Sequence, residues 1–144
     1  MNSAMKQEAG VFYNPKMEEL RDISVIMAKA SGISQPRILD STCATGIRGI
    51  RYEKEVGAIV DMLDINSGAA SSASKNVAAN KASAMVINKS IQEFANTTEN
   101  KYEIIDLDPF GTPAPYIYDL MKFKESESKL EGVALTPKEA IISS

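Results

Sequence analysis

Short apolar runs alternate with helical patterns along most of the chain, and this alternation constrains the fold more than any other feature. Arg37 to Asp40, Ile59 to Leu63, Ala84 to Ile87 and Glu103 to Leu107 read as strands, the second interrupted by Asp61. Ile47 to Glu55, an alanine-rich stretch from Ser67 to Asn80, and Pro115 to Phe123 read as helices. Strands that alternate with helices imply a parallel sheet with crossover helices on both faces, an α/β doubly wound arrangement. A further helix precedes the first strand. Asn14 suits its N-cap, Pro15 its first position, and Glu18 and Glu19 the positive end of its dipole. Leu20, Ile23, Ile26 and Met27 form an apolar stripe at helical spacing, and Gly32 is the expected stop.

The two ends are less regular. The first ten residues, MNSAMKQEAG, are polar and are expected to be flexible. Glu125 to Glu131 is charged, Gly132 to Leu135 reads as one more strand, and Pro137 would end it. Doubly wound sheets commonly run to more strands, so the sheet is expected to be truncated after four or five. The expected division is a flexible segment over 1–10, a domain over 11–124 and a poorly matched tail over 125–144.

The 144 residues suit one domain, and 44% hydrophobic with 24% charged residues argues against disorder. No apolar run approaches the roughly 18 residues that span a bilayer. The amino terminus lacks the basic and apolar regions of a signal peptide, so a cytoplasmic protein is expected. One cysteine, Cys43, precludes an internal disulfide. There is no histidine. That removes Ser/His and Cys/His nucleophilic catalysis and His-ligated metal sites. A general base must then be a carboxylate, a lysine, a tyrosine or a backbone carbonyl. A net charge of −3 and a pI near 5.1 do not describe a self-sufficient nucleic-acid binder.

Three motifs carry chemistry. The first runs from Asp40 to Gly49, between a strand and a helix. Gly46 permits a tight turn and close approach of a ligand, and Gly49 lets the helix pack closely on the sheet. The pattern resembles a dinucleotide fingerprint with Ala44 in place of the first glycine; the bland alternative is an ordinary strand-to-helix turn. The second motif is Asp64, followed by Ile65, at the end of the second strand. Fingerprints of this type place an acid about 20 residues on, where it holds ribose hydroxyls. These two motifs do not separate a nicotinamide cofactor from S-adenosylmethionine.

The third motif does. Asp106-Leu107-Asp108-Pro109-Phe110-Gly111 ends the fourth strand, and an Asp-Pro-aromatic there resembles the signature of methyltransferases acting on exocyclic amines. An amine conjugated to an aromatic ring is a poor nucleophile. It needs an acceptor that holds its N–H, aligns its lone pair and takes up positive charge as it develops. Asp108 can serve, Pro109 stiffens the backbone, and Phe110 offers a face for a flipped base. The bland alternative is a turn with Phe110 in the core.

Taken together, Phe12-Tyr13-Asn14-Pro15 with Arg21-Asp22, the segment ATGIRGIR from Ala44 to Arg51, and IDLDPFG from Ile105 to Gly111 with Pro113 resemble the archaeal branch of the tRNA (guanine(26)-N(2))-dimethyltransferase family. The likeness covers roughly Val11 to Phe123, and Asn76-Val77 with Asn80 also fits. It implies a Rossmann-like class I methyltransferase fold, S-adenosyl-L-methionine as cofactor and tRNA as substrate, with no metal and no membrane partner. It also implies that most RNA contacts come from a carboxyl-terminal domain not present here. By the same likeness Phe12 and Arg21 lie over the cofactor. Asp40, Ala44, Thr45 and Gly46 belong to the cofactor loop, and Arg48 and Arg51 are expected near the methionine carboxylate. Asp64 with Ile65 takes the ribose end, and Asp108 is the catalytic aspartate, with Pro109 and Phe110 beside it. An arginine suits a carboxylate because its planar fork binds it bidentately. Pairing with Glu53 or Glu55 on the same helix is the plain alternative.

One departure stands out. Where the family carries acidic residues after the third strand, this chain has Asn88-Lys89-Ser90-Ile91-Gln92, with no carboxylate before Glu93. Cys43 and five methionines (Met17, Met27, Met62, Met85 and Met121) read as core filler. Competing readings are a related amine methyltransferase acting on DNA or protein, a non-catalytic remnant or half-protein that needs a second chain, and a nicotinamide-dependent oxidoreductase.

Overall fold

The computed structural model describes residues 17–109 and 111–123. Helix α1 spans Glu18–Ala30, strand β1 Arg37–Asp40 and helix α2 Ile47–Arg51, which continues as a π-helical turn over Tyr52–Val56. Then follow β2 (Ile59–Leu63), α3 (Ser67–Ala79), β3 (Met85–Ile87), α4 (Ile91–Thr97), β4 (Ile104–Asp106), α5 (Ala114–Leu120) and a 3-10 turn over Met121–Phe123. All strand pairs are parallel and the sheet order is β3-β2-β1-β4. The chain winds outward from β1 through β2 to β3, then returns to place β4 on the other side of β1. A reversal of this kind opens a crevice at the carboxyl ends of β1 and β4.

Two apolar layers cover the sheet. Ile38, Val60, Met62 and Ile104 face one way and pack with Val25 and Ala28 of α1, Ile50 of α2 and Ala73 of α3. Leu39, Leu63 and Ile105 face the other way and pack with Ile91 and Phe94 of α4, Leu120 of α5 and Phe123. This is the doubly wound arrangement expected from the alternation. Gly49 explains how closely α2 sits: a Cβ there would lie 2.4 Å from Met62 Sδ and 2.7 Å from its Cγ, and Met62 is fully buried. A side chain at this position would force the buried Met62 or α2 itself to shift.

The structure changes several expectations. α1 turns a different face inward. Arg21, Val25 and Ala28 are buried, whereas Ile23 is 42% and Ile26 63% exposed. The smaller Val25 and Ala28 allow α1 close to α2 and the π turn, which the bulkier isoleucine stripe would not. Helix α4 was not anticipated. Its start is a complete capping box, in which Ser90 Oγ accepts from Glu93 N and the Glu93 carboxylate accepts from Ser90 N. Of the five methionines only Met62 lies in the core. Met85, on edge strand β3, is 62% exposed and Met121 is 52% exposed. Gly32 does stop α1, with its N–H on Lys29 O and φ of +69°. Asn14, Pro15 and the strand expected over Gly132 to Leu135 lie outside the described residues. Among the described residues no helix is long and apolar enough to cross a membrane.

Candidate active site

The turn from β1 into α2 is laced to the strands on either side. Ser41 donates to Asp106 O from its backbone N at 2.9 Å and from its Oγ at 2.6 Å, and Cys43 N donates to Leu63 O at 2.9 Å. Ala44 takes a left-handed conformation, φ +49°, where glycine is ordinarily preferred. Its N–H is held by Asp64 Oδ2 at 2.9 Å, so the acid at the end of β2 fixes the strained residue of the loop. Gly46 follows at φ +79°, and a Cβ there would press on Ala73 Cβ at 3.1 Å. Thr45 is buried, and its carbonyl accepts from Asn76 Nδ2 at 2.9 Å. That bond gives Asn76, a buried amide in an alanine-rich helix, a structural purpose.

Asp64 Oδ1 accepts from Asn66 N at 2.9 Å. The neighbouring Ile65 is 73% exposed. Asn88, at the end of β3, donates from Nδ2 to Asp64 O at 2.9 Å and Ile65 O at 3.1 Å, so it braces this rim. Glu93, the first carboxylate after β3, is used by its own capping box.

Four carboxylates meet at the crevice. Asp40 and Asp106 are register partners on adjacent strands. Arg48 lies between Asp106 and Asp108, with Nη1 donating to Asp106 Oδ1 at 2.9 Å and Nη2 to Asp108 Oδ2 at 3.1 Å. Tyr52 donates its hydroxyl to Asp106 Oδ2 at 2.5 Å. Asp108 N donates to Thr42 Oγ1 at 2.9 Å, which ties the strand end to the turn. Asp40 is 2% exposed, and its Oδ2 has no hydrogen-bond partner among the described residues. Burial pushes its carboxyl up to about 8, with repulsion from Asp106, Asp108 and Asp64 added and Arg48 opposing. Burial works against the Arg48 charge, but Asp106, Asp40 and Asp108 more than offset it and raise its pKa. The Tyr52 phenol is raised by burial and then by Asp106. Cys43 is buried, and burial followed by Asp40 and Asp64 pushes its thiol up, so it is an unreactive filler as expected.

Of the residues singled out from sequence, the crevice brings together Asp40, Ala44, Thr45, Gly46, Arg48, Asp64, Ile65, Asp108 and Pro109. Arg21 is buried on α1, the helix that packs against α2. Arg51 forms ion pairs with Asp22 at 2.5 Å and, as the same-helix alternative has it, with Glu55 at 3.0 Å. Phe12 and Phe110 lie outside the described residues. Tyr52, Thr42, Asp106 and Asn88 received no role from sequence. Tyr52 had a faint signal, since it follows Arg48 by four residues on one helix and so shares its face. Among the described residues no group of His, Cys, Asp or Glu could hold a metal ion.

A family model for N2,N2-dimethylguanosine tRNA methyltransferase matches residues 1–134. The chain belongs to this family. A tRNA (guanine(26)-N(2))-dimethyltransferase of Sulfolobus acidocaldarius is 39% identical over 133 residues, covering 89% of this chain and 33% of the relative. The Metallosphaera sedula protein of the same name is 38% identical, covering 91% of this chain and 34% of the relative. Among solved structures, Trm1 of Pyrococcus horikoshii in complex with S-adenosyl-L-methionine superposes with a TM-score of 0.74 at 28% identity, over 83% of this chain and 37% of that one. The chain thus spans about a third of the length of the dimethylguanosine methyltransferase relatives it matches.

Proposed function

We propose that this chain carries the cofactor loop and catalytic aspartate of an enzyme that transfers methyl groups from S-adenosyl-L-methionine to the exocyclic amine of a guanine in tRNA. The names of the relatives point to that substrate, and the Pyrococcus horikoshii protein was solved with that cofactor. The observation that carries the reading is the 2.9 Å bond from Asp108 N to Thr42 Oγ1. It makes the amine acceptor and the glycine turn one mechanical unit, so a group seated on the turn is held at a fixed distance from Asp108.

The residues present suit the cofactor. The orphaned, buried Oδ2 of Asp40 calls for a cationic or N–H donor, as the methionine ammonium is. Asp64 uses two of its roughly four acceptor positions on Ala44 and Asn66, which leaves capacity for ribose hydroxyls. The left-handed turn over Ala44, Thr45 and Gly46 exposes backbone to close approach, and Ile65 offers an apolar face for a purine. By the family likeness Arg21 and Phe12 are further cofactor residues. When bound, the cofactor supplies a methyl group on a sulfonium, already activated without a metal.

The rest is done by the chain. Asp108 accepts the amine N–H, orients the nitrogen lone pair and balances the positive charge that develops as the N–C bond forms. The amine proton then leaves through that carboxylate to water. Pro109 removes backbone freedom beside it, and Phe110 supplies the stacking face. The acidic chain leaves most phosphate contacts to a part of the protein outside this sequence, and a tRNA substrate suits a cytoplasmic site of action.

Calorimetric titration with S-adenosyl-L-methionine, followed by a tRNA methylation assay, tests this. The unsubstituted chain and Asp108→Ala should both bind, whereas Asp64→Ala should lose saturable binding. Asp108→Ala should lower methyl transfer by roughly 10²- to 10⁴-fold. Near-normal methylation by Asp108→Ala would sink the reading.

A further inference from the structure

Arg48 directs both terminal nitrogens of its guanidinium at carboxylates of the chain itself. Its side chain is 9% exposed. One terminal nitrogen is taken by Asp106 and the other by Asp108, while Nε is buried. Asp106 is itself fixed from the far side by the Tyr52 hydroxyl. Arg48 and Tyr52 are four residues apart, where α2 passes into the π-helical turn, so one helical face delivers both to the same carboxylate. The result is a continuous strut that runs from Tyr52 through Asp106 and Arg48 to Asp108.

We infer that Arg48, anchored by Asp106 and Tyr52, is a positioning residue for Asp108 and not a ligand of the cofactor's methionine carboxylate. The inference rests on the reading of Asp108 as the amine acceptor. A planar guanidinium can bridge two carboxylates and fix their relative orientation, which a lysine ammonium on a flexible stem cannot. Its charge also offsets the repulsion between Asp106 and Asp108, two residues apart at one strand end. Loss of the strut removes the Arg48 bond that helps hold the Asp108 carboxylate in line for methyl transfer, and small misplacements of this kind are costly. Asp106 gains a purpose that the motif alone did not disclose. Its carboxylate acts on chemistry only through Arg48.

The test measures cofactor affinity by calorimetry and kcat and KM for tRNA methylation in Arg48→Lys and Tyr52→Phe, each checked by thermal unfolding. Arg48→Lys should lower kcat by about 100-fold and leave cofactor affinity within a small factor. Tyr52→Phe should lower kcat by up to about tenfold, again with affinity unchanged, because it removes one hydrogen bond and keeps the ring. A fall in affinity by tenfold or more in Arg48→Lys, with kcat at saturation retained, would show a cofactor ligand and overturn the inference. Unchanged kcat in both variants would overturn it too. If the parent chain binds the cofactor but methylates no tRNA, the affinity arm alone decides whether Arg48 holds the cofactor, and a tenfold loss in Arg48→Lys overturns the inference. Should Arg48→Lys not fold, Tyr52→Phe decides.

Discussion

Two polar clusters stand at opposite ends of the same strands and are built from similar parts. Toward the amino ends, Tyr102 donates to Asp61 Oδ2 at 2.6 Å, Arg37 Nη2 lies 4.0 Å from the same oxygen, and the guanidinium sits 5.8 Å above the Tyr102 ring. Glu103 accepts from Arg37 N at 2.7 Å. At the carboxyl ends, Tyr52 and Arg48 meet Asp106 in a similar way. Surroundings and charge balance separate the two. Arg37 is 43% exposed and shares its charge with water, and both carboxylates near it have protein donors. The other cluster sets Asp40, Asp64, Asp106 and Asp108 against Arg48, in a setting where Asp40 is almost wholly buried with one oxygen unused. In the first cluster both carboxylates are met by protein donors, so its acids call for no ligand, although Arg37 Nε is buried without a partner among the described residues. The second is left incomplete in a way that a cationic, hydroxyl-rich ligand would complete.

The strongest way to break this contrast is to neutralise one acid in each cluster. Asp61→Asn should cost about 1–3 kcal/mol of stability by thermal or urea unfolding, since it weakens the Tyr102 and Arg37 interactions, while cofactor affinity stays as it was. Asp40→Asn should do the reverse. Asp40 is pushed up to about 8 and so holds a proton near neutral pH, where an amide is a close substitute. Stability should change little, but cofactor affinity should fall roughly 10- to 100-fold through loss of a charge-assisted bond. The opposite pattern would mean that the functional cluster lies at the wrong end of the sheet.

A finer test uses the two tyrosines. Tyr102→Phe removes the hydroxyl that bonds Asp61, with the ring still packed against Phe123. It should lower stability by about 1 kcal/mol, a few degrees in the unfolding midpoint, with cofactor affinity and kcat unchanged. A loss of kcat comparable with that expected for Tyr52→Phe would erase the distinction between the clusters.

How much of this was legible follows from the kind of interaction involved. Strand positions and the doubly wound layers were readable because period and alternation are local properties of the sequence. Gly46, Gly49 and Asp64 were readable because a turn, a close approach and a strand-end acid each demand particular residues at fixed spacing. The inward face of α1 was not, since Ile23/Ile26 and Val25/Ala28 both satisfy helical spacing, and only the room available beside α2 decides between them. Helix α4 is short, and its signal lay in the Ser90–Glu93 box rather than in periodicity. The Arg51–Glu55 pair was readable from i,i+4 spacing, but the other partners are far away in sequence: Asp106 and Asp108 for Arg48, and Asp22 for Arg51. No spacing rule within one helix reports these long-range contacts, and so spacing could put Tyr52 on the Arg48 face but could not bring either to Asp106.

The smallest expected effect is a proton. An unfolded aspartate titrates near 3.9, whereas Asp40 in the folded chain is pushed up to about 8 by burial and by Asp106. Between those values the folded chain holds a proton that the unfolded chain has lost. The stability owed to Asp40 is therefore full below about pH 4 and is lost as pH rises toward about 8. A cation placed against Asp40 favours the ionised form, so cofactor binding near neutral pH should expel up to about one proton. The binding enthalpy should then vary with the ionisation enthalpy of the buffer, and affinity should strengthen as pH rises through neutrality. Asp40→Asn should remove both dependences. If the unsubstituted chain binds with no buffer dependence, Asp40 does not meet the ammonium, and its orphaned oxygen serves folding rather than ligand, as Asp61 does at the other end of the strands.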